Sequence, residues 1–260
     1  MTEGLHPRAD DLDAMSALEL VTLMNSEDGS AVAAITPQLE RIAEAVDAAT
    51  ERLRAGGRMH YFGAGTSGLV AAMDAAECPP TFGVAPDLVQ AHVVTEAGQE
   101  DDEALGASAA RDARVEPADV AVAVSASGRT PFVVGAMREA SARGPLTIAI
   151  SCRRDSVLAH ALDIAIEIDT GPEVIAGSTR LKCGTVQKLV LNMLTTAVFT
   201  RLGRTHRGRM VGVVAGNTKQ RDRAARIVAD LANLPLDEAL RLLDKSGGDV
   251  RAALAGARKR

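Results

Sequence analysis

Residues 59–68 read Met-His-Tyr-Phe-Gly-Ala-Gly-Thr-Ser-Gly. A short apolar run stops at a turn rich in glycine and hydroxyl groups, and helical spacing begins at Leu69 and lasts to Glu77. This order predicts a strand, a tight loop and the start of a helix. The same unit returns at 120–131, where Val-Ala-Val-Ala-Val-Ser leads into Ala-Ser-Gly-Arg-Thr-Pro and a helical stretch follows over 131–142. Pro131 suits a first helical position, where its missing N–H costs nothing. Further apolar runs lie at 88–94, 146–151 and 164–168, and another helical stretch at 104–114. Apolar runs that alternate with helices are buried on both faces. They predict an α/β fold with about five parallel strands and helices on both sides of the sheet.

Outside this region the periodicity is helical. Leu12, Met15, Leu18, Leu20, Val21 and Leu23 fit one face of a helix over 12–24. A second helix opens at Thr36–Pro37 and stops at Gly56–Gly57. After the last strand, helices are expected over 183–202 and 218–231. Residues 236–243 and 249–254, separated by Gly247–Gly248, read as a small helical hairpin. The expected organisation is a helical extension over 1–55, the α/β domain over 56–231 and a helical tail over 232–260.

Composition narrows the function. Lys plus Arg number 29 and Asp plus Glu 34, so the formal charge is −5, and aromatic residues are only 2%. An acidic chain so poor in stacking rings is not expected to bind nucleic acid. No apolar run approaches the ~20 residues that span a bilayer, and Asp10, Asp11 and Asp13 occupy the place of a signal peptide's basic and apolar regions. Cys78, Cys152 and Cys183 form no CxxC pair, which points to a reducing cytoplasm. The five histidines show no metal-ligand spacing and are expected at the surface or in structural roles.

The two loops after 59–62 and 120–124 carry the chemistry. Glycine lets a ligand approach the backbone, Ser and Thr donate, and each following helix offers its first N–H groups. That combination suits a phosphate monoester or a phosphorylated sugar. The same residues are ordinary capping and turn formers, so either loop alone is equally compatible with capping. Gly63, Gly65 and Gly68 also match G-x-G-x-x-G, with Glu96 as the acid of a dinucleotide site, but Thr66, Ser67 and the second hydroxyl loop fit a compact phosphate better. No P-loop motif is present.

Two carboxylates stand in opposed settings. Glu77 precedes Cys78-Pro79-Pro80, where the prolines are expected to end a helix, and the negative end of the helix dipole disfavours its charge. Glu100 opens an acidic run at an expected helix start, where charge is favoured. Such a pair divides acid and base roles, although acidic first turns are also common. Asp101, Asp102 and Glu103 need nothing beyond that. A third polar cluster, from Glu173 to Thr185, offers Ser178, Thr179 and Lys182 as further anion ligands, or as a capped helix start with solvated bases.

Together G-A-G-T-S-G (63–68), D-A-A-E-C-P-P-T-F-G (74–83), S-A-S-G-R-T-P (125–131) and G-S-T-R-L-K-C-G-T-V-Q-K-L-V-L-N-M-L (177–194) closely resemble N-acetylmuramic acid 6-phosphate etherases, relatives of the sugar isomerase (SIS) family. The similarity runs from Met15 to Val228. It implies an SIS-type three-layer sandwich and a cytoplasmic homodimer with sites near the subunit interface. It also implies a lyase of amino-sugar metabolism and peptidoglycan recycling that uses no metal or organic cofactor. The implied reaction cleaves the D-lactyl ether of N-acetylmuramic acid 6-phosphate into N-acetylglucosamine 6-phosphate and D-lactate. By the same resemblance Glu77 is the acid and Glu100 the second catalytic carboxylate. Gly65, Thr66, Ser67, Ser125, Ser127, Gly128 and Thr130 hold the sugar phosphate, with Ser178, Thr179 and Lys182 as further contacts. The sequence departs from the family pattern in a shorter segment between Val94 and Glu100 and an abbreviated region after Leu231. Two other readings share the phosphate loops. A non-catalytic sugar-phosphate regulator needs neither carboxylate, and a phosphosugar isomerase needs a base but no leaving-group acid.

Overall fold

The computed structural model describes residues 4–96, 98–213 and 218–257. The elements are α1 (Ala17–Ala33), α2 (Leu39–Arg54), β1 (Met59–Ala64), α3 (Gly65–Phe82), β2 (Val89–Val94), α4 (Glu103–Asp112), β3 (Val120–Ser125) and α5 (Pro131–Ser141). They continue with β4 (Leu146–Ser151), α6 (Val157–Ala161), β5 (Ile164–Glu167), α7 (Lys182–Arg201), β6 (Thr205–His206), β7 (Arg209–Met210), α8 (Thr218–Ala232), α9 (Leu236–Lys245) and α10 (Val250–Ala257). The chain divides into two compact units: residues 1–75 with 87–198, and residues 76–86 with 199–260.

The first unit holds a five-stranded parallel sheet in the order β2-β1-β3-β4-β5. Every residue of β1, β3 and β4 is buried, whereas the edge strands β2 and β5 are partly exposed. That is the burial expected of uninterrupted apolar runs flanked by strands and covered by helices. Because side chains alternate along a strand, Phe62, Ala64, Ala121, Ala123 and Ala149 share one face. They pack there with Phe132, Val133, Ala136 and Met137 of α5 and Ala110 of α4. Tyr61 belongs to the opposite face, and its hydroxyl donates to Asp74 Oδ2 of α3 at 2.9 Å. Asp74 Oδ1 in turn accepts from Asn192 Nδ2 at 2.7 Å and Thr195 Oγ1 at 3.1 Å, both on α7. Burial raises the Asp74 pKa, partly offset by these hydrogen bonds. One buried carboxylate thus ties β1, α3 and α7 together.

Two sequence expectations change. The helix expected over 12–24 is a 3-10 turn (Ala9–Ala14) followed by a new start at α1. Ser16 begins it with a capping box: Ser16 N–H donates to Glu19 Oε2 at 2.8 Å and the Glu19 N–H donates back to Ser16 Oγ at 3.4 Å. Its apolar side chains point outward, with Leu18 74%, Val21 58% and Val32 49% exposed. The helix expected to end before Pro79 runs through both prolines to Phe82. Gly83, at φ +62°, closes it with an N–H donated to the Pro79 carbonyl at 2.9 Å. Glu77 is therefore not a terminal helical residue, and its side chain is exposed.

In the second unit α8, α9 and α10 enclose a core of Ala224, Ala225, Val228, Ala239, Leu242, Leu243, Val250 and Ala253. The hairpin of 236–254 is thus the second half of a three-helix cluster. Phe82 and Phe199 pack together in the same unit, their rings tilted by 32° with centroids 4.7 Å apart.

Two of the histidines, His60 and His92, are structural. His60 of β1 is fully buried, with Nδ1 3.1 Å from His92 Nε2 and Nε2 3.3 Å from Asp119 Oδ2. His92 stacks on Phe62, centroids 4.9 Å apart. Burial works against the Asp119 carboxylate, yet hydrogen bonds from the Arg58 and Glu116 N–H groups outweigh it and hold its pKa below the usual value. Burial pushes both imidazoles down, and His60 adds to the effect on His92, which falls to about 4. Both rings are neutral in the fold and gain protons when it opens. Stability therefore falls as pH drops below the ordinary histidine value of about 6.5, and this loss saturates only where folded His92 titrates, near 4. His92→Phe keeps a ring against Phe62 and removes one of these protons. Its loss of Tm between about pH 7 and about pH 4.5 will be smaller than the wild type's in a thermal melt; an equal loss contradicts this account.

Candidate active site

β1 is the point at which the chain changes direction across the sheet. From β1 it moves outward to β2, then returns to β3 on the other side. The loops leaving the carboxyl ends of β1 and β3 diverge there, which opens a crevice at the ends of the strands. A cleft of about 690 Å3 occupies this place. It is lined by Ala64, Gly65, Thr66 and Ser67 after β1, by Ala126, Ser127, Arg129, Thr130 and Pro131 after β3, and by Glu100, Asp101, Gly177 and Thr179.

Glycine serves two separate purposes in the first loop. A Cβ on Gly63 would stand 2.9 Å from Gly68 Cα, and one on Gly68 would stand 2.8 Å from the Gly63 carbonyl oxygen. The G-x-G-x-x-G spacing thus lets the end of β1 press against the first turn of α3. Gly65 itself lies at φ +54°. The second loop is held by its own side chains. Ser125 Oγ accepts from the Gly128 N–H at 3.0 Å and sits 2.8 Å from Thr130 Oγ1. Ser127 Oγ accepts from the Arg129 N–H at 3.3 Å. Gly128 is at φ +63°, and a Cβ there would meet Ser156 Cβ at 2.4 Å. The loop is therefore fixed before any ligand arrives, and α3 and α5 direct their unpaired first-turn N–H groups toward the crevice.

The acidic run divides its labour. Glu100 and Asp101 lie in a 3-10 turn (Gln99–Asp101) on the cleft, Asp102 caps α4 by accepting from the Leu105 N–H at 2.9 Å, and Glu103 pairs with Arg138 at 2.9 Å. Glu100 Oε2 lies 3.9 Å from the place a Cβ on Gly65 would take, so its carboxylate reaches the start of α3. The third wall is brought in by α7. A Cβ on Gly184 would stand 3.3 Å from Thr66 Cγ2, which sets the 177–184 segment against α3. Fully buried Glu173 accepts from the Lys182 N–H at 2.9 Å and the Cys183 N–H at 3.0 Å, and so caps α7.

Among the residues expected at the site, Gly65, Thr66, Ser67, Ser127, Thr130, Thr179 and Glu100 line the cleft together. Ser125 and Gly128 shape the second loop behind it. Ser178 is not among the lining residues, and Lys182 is nearly buried with Nζ on Glu27 Oε2 at 2.6 Å. Glu77 is exposed on α3, in the second unit, and is not among the lining residues either. Sequence reasoning passed over Arg129 and Asp101, which line the cleft. Arg129 stood inside the quoted S-A-S-G-R-T-P stretch, between two residues already chosen. Among the described residues no group of three or more His, Cys, Asp or Glu is placed to hold a metal. A hollow of about 770 Å3 in the second unit is lined mainly by the charged side chains Arg209, Asp222, Arg223, Arg226 and Asp230. It has no pair of converging strand ends, and Arg209 there pairs with Asp230.

The described helices include none long and apolar enough to cross a membrane. The family model described as the SIS domain matches residues 29–152. A relative from Nostoc punctiforme, called an N-acetylmuramic acid 6-phosphate etherase, is 47% identical over 98% of this chain and 85% of its own length. Relatives of the same name from Rubrobacter xylanophilus and Symbiobacterium thermophilum are 47% and 45% identical, each over 98% of this chain and 87% of their own. A putative phosphosugar isomerase from Bacteroides fragilis shares the fold with a TM-score of 0.58 at 22% identity, covering 74% of this chain and 95% of that one. A phosphoheptose isomerase from Neisseria gonorrhoeae does so at 0.53 and 20%, covering 71% and 100%. The architecture is thus the SIS-type sandwich.

The cleft's hydroxyls and N–H groups are donors of the kind that suit an anion. Orthophosphate at about 100 times its Kd will stabilise the chain by about 2.7 kcal/mol. In the double variant Ser127→Ala, Thr130→Val the Kd, measured by thermal shift, will rise about tenfold or more as two donors to a charged ligand are lost. An unchanged Kd places the anion elsewhere.

Proposed function

The chain belongs to the N-acetylmuramic acid 6-phosphate etherases, and from that membership we propose that this cleft cleaves the D-lactyl ether of N-acetylmuramic acid 6-phosphate. The observation that carries the reading is the cleft itself: two phosphate-suited helix starts face a carboxylate, Glu100, that reaches the first turn of α3. The products are N-acetylglucosamine 6-phosphate and D-lactate, and the enzyme is a carbon–oxygen lyase.

The phosphate sits on the first turns of α3 and α5, with Thr66, Ser67, Ser127 and Thr130 as donors. In the opened sugar the proton on carbon 2 is next to the aldehyde, and the ether oxygen is on carbon 3. Glu100 takes that proton, and the electron pair forms the carbon 2–carbon 3 double bond as the carbon 3–oxygen bond breaks. An alkoxide leaves poorly, so the departing lactate oxygen needs an acid; the resemblance gives that role to Glu77, which is exposed on α3 and is not among the residues lining the cleft. Water then adds at carbon 3 and a proton returns to carbon 2, which restores the saturated sugar. The roles of Glu77 and Glu100 rest on the resemblance through D-A-A-E-C-P-P and on the position of Glu100 at the cleft.

The same proposal includes a homodimer. Leu18, Val21 and Val32 on α1, and Leu69 and Met73 on α3, form large exposed apolar surface in one chain, which a second copy covers. We place the enzyme in the cytoplasm, in keeping with three buried cysteines that form no disulfide.

Purified protein will release D-lactate from N-acetylmuramic acid 6-phosphate, read with a coupled D-lactate dehydrogenase. Glu100→Gln and Glu77→Gln will each lower kcat/KM by about 100-fold or more, the worth of a positioned proton-transfer group. Full activity in either variant removes that residue from the mechanism.

A further inference from the structure

Resting on the etherase reading, the substrate brings two anions into the cleft. The phosphate is one. The other is the lactyl carboxylate, whose neighbouring carbon carries the ether oxygen that must leave. Any pose that presents carbon 2 to Glu100 places this second anion within a few bonds of the reacting atoms.

The cleft is poorly suited to a free carboxylate. Its ionisable anionic lining residues are Glu100 and Asp101, and both repel a further negative charge. Its hydroxyls and helix starts already have the phosphate to hold. Among the described lining residues, Arg129 carries the one cationic side chain. Its backbone is anchored, since the Arg129 N–H donates to Ser127 Oγ at 3.3 Å and the following Thr130 is held by Ser125. Its guanidinium is exposed and has no ion-pair partner among the described residues. A planar fork on a rigid loop, uncommitted among the described residues, is the geometry that takes a carboxylate bidentately.

We propose that Arg129 is the receptor for the leaving group's carboxylate and so determines that lactyl ethers, rather than plain alkyl ethers, are cleaved. It forms no bond and moves no proton. It holds the departing lactate with its ether oxygen turned to the acid, and it offsets the repulsion from Glu100 and Asp101.

The test compares wild type, Arg129→Met and Arg129→Lys on three compounds: N-acetylmuramic acid 6-phosphate, its uncharged lactamide analogue, and N-acetylglucosamine 6-phosphate as an inhibitor with no lactyl group. In Arg129→Met, kcat/KM for the acid will fall by about 10- to 100-fold, the loss of a charged hydrogen-bonded pair. The lactamide will change less than about threefold and inhibition by N-acetylglucosamine 6-phosphate will not change, which also certifies the folded cleft. Arg129→Lys will lie between, because lysine keeps the charge and loses the fork. An equal loss on acid and lactamide, or weaker inhibition by N-acetylglucosamine 6-phosphate, overturns the assignment and gives Arg129 to the phosphate or to the loop. Wild type that binds the inhibitor yet releases no product from either substrate overturns the etherase reading itself, before any variant is compared, and this inference with it.

Discussion

Two neighbouring strands, β1 and β3, each run into a helix whose first N–H groups have no carbonyl partner. Because the chain leaves β1 in one direction and β3 in the other, these two helix starts face a common space and not the same covering layer. Each remaining feature of the cleft serves that juxtaposition. The Gly63–Gly68 contact brings α3 close to its strand, and the Ser125–Gly128–Thr130 hydrogen bonds hold the second loop open toward it. The 3-10 turn carrying Glu100 then lays a carboxylate across the first of the two starts. Positive helix ends next to a carboxylate are a natural place for a phosphorylated sugar.

The sheet was legible because its central strands are buried on both faces, and an unbroken run such as Val-Ala-Val-Ala-Val has no other stable home. The two loops were legible for the same reason at their ends: a buried strand must exit through residues that tolerate a turn. What escaped was set by hydrogen bonds rather than by periodicity. The apolar spacing of 12–24 runs straight across Ser16, yet the Ser16–Glu19 capping box starts a new helix there. Pro79 and Pro80 forfeit bonds to carbonyls one turn back, but they keep helical φ, so α3 ends where Gly83 turns left-handed and not where the prolines begin. The two-residue strands β6 and β7 leave no pattern to read.

Side chains proved harder to place than backbone. Lys182 and Glu173 stand close in sequence within one polar cluster, but they do different work. Glu173 closes the N-terminus of α7, and Lys182 reaches Glu27 on α1, which also pairs with His6 at 3.4 Å. Asp74 binds Tyr61, Asn192 and Thr195, partners far apart in sequence. These buried polar contacts fix α1, α3 and α7 and leave the cleft, among the described residues, to hydroxyls, N–H groups, two carboxylates and one guanidinium. Among the described residues no aromatic ring lines it, which fits a chain with 2% aromatic residues and a ligand bound by its charge and oxygens.

The central claim is that the ether is lost by elimination from a carbon acid and restored by water at carbon 3. Running the reaction in deuterated water enriched in oxygen-18, and analysing both products by mass spectrometry, tests it most directly. The account predicts deuterium at carbon 2 and oxygen-18 at carbon 3 of N-acetylglucosamine 6-phosphate, with D-lactate keeping the original ether oxygen. Oxygen-18 in the lactate, with an unlabelled sugar, would show attack on the lactyl carbon and contradict the roles given to Glu100 and Glu77.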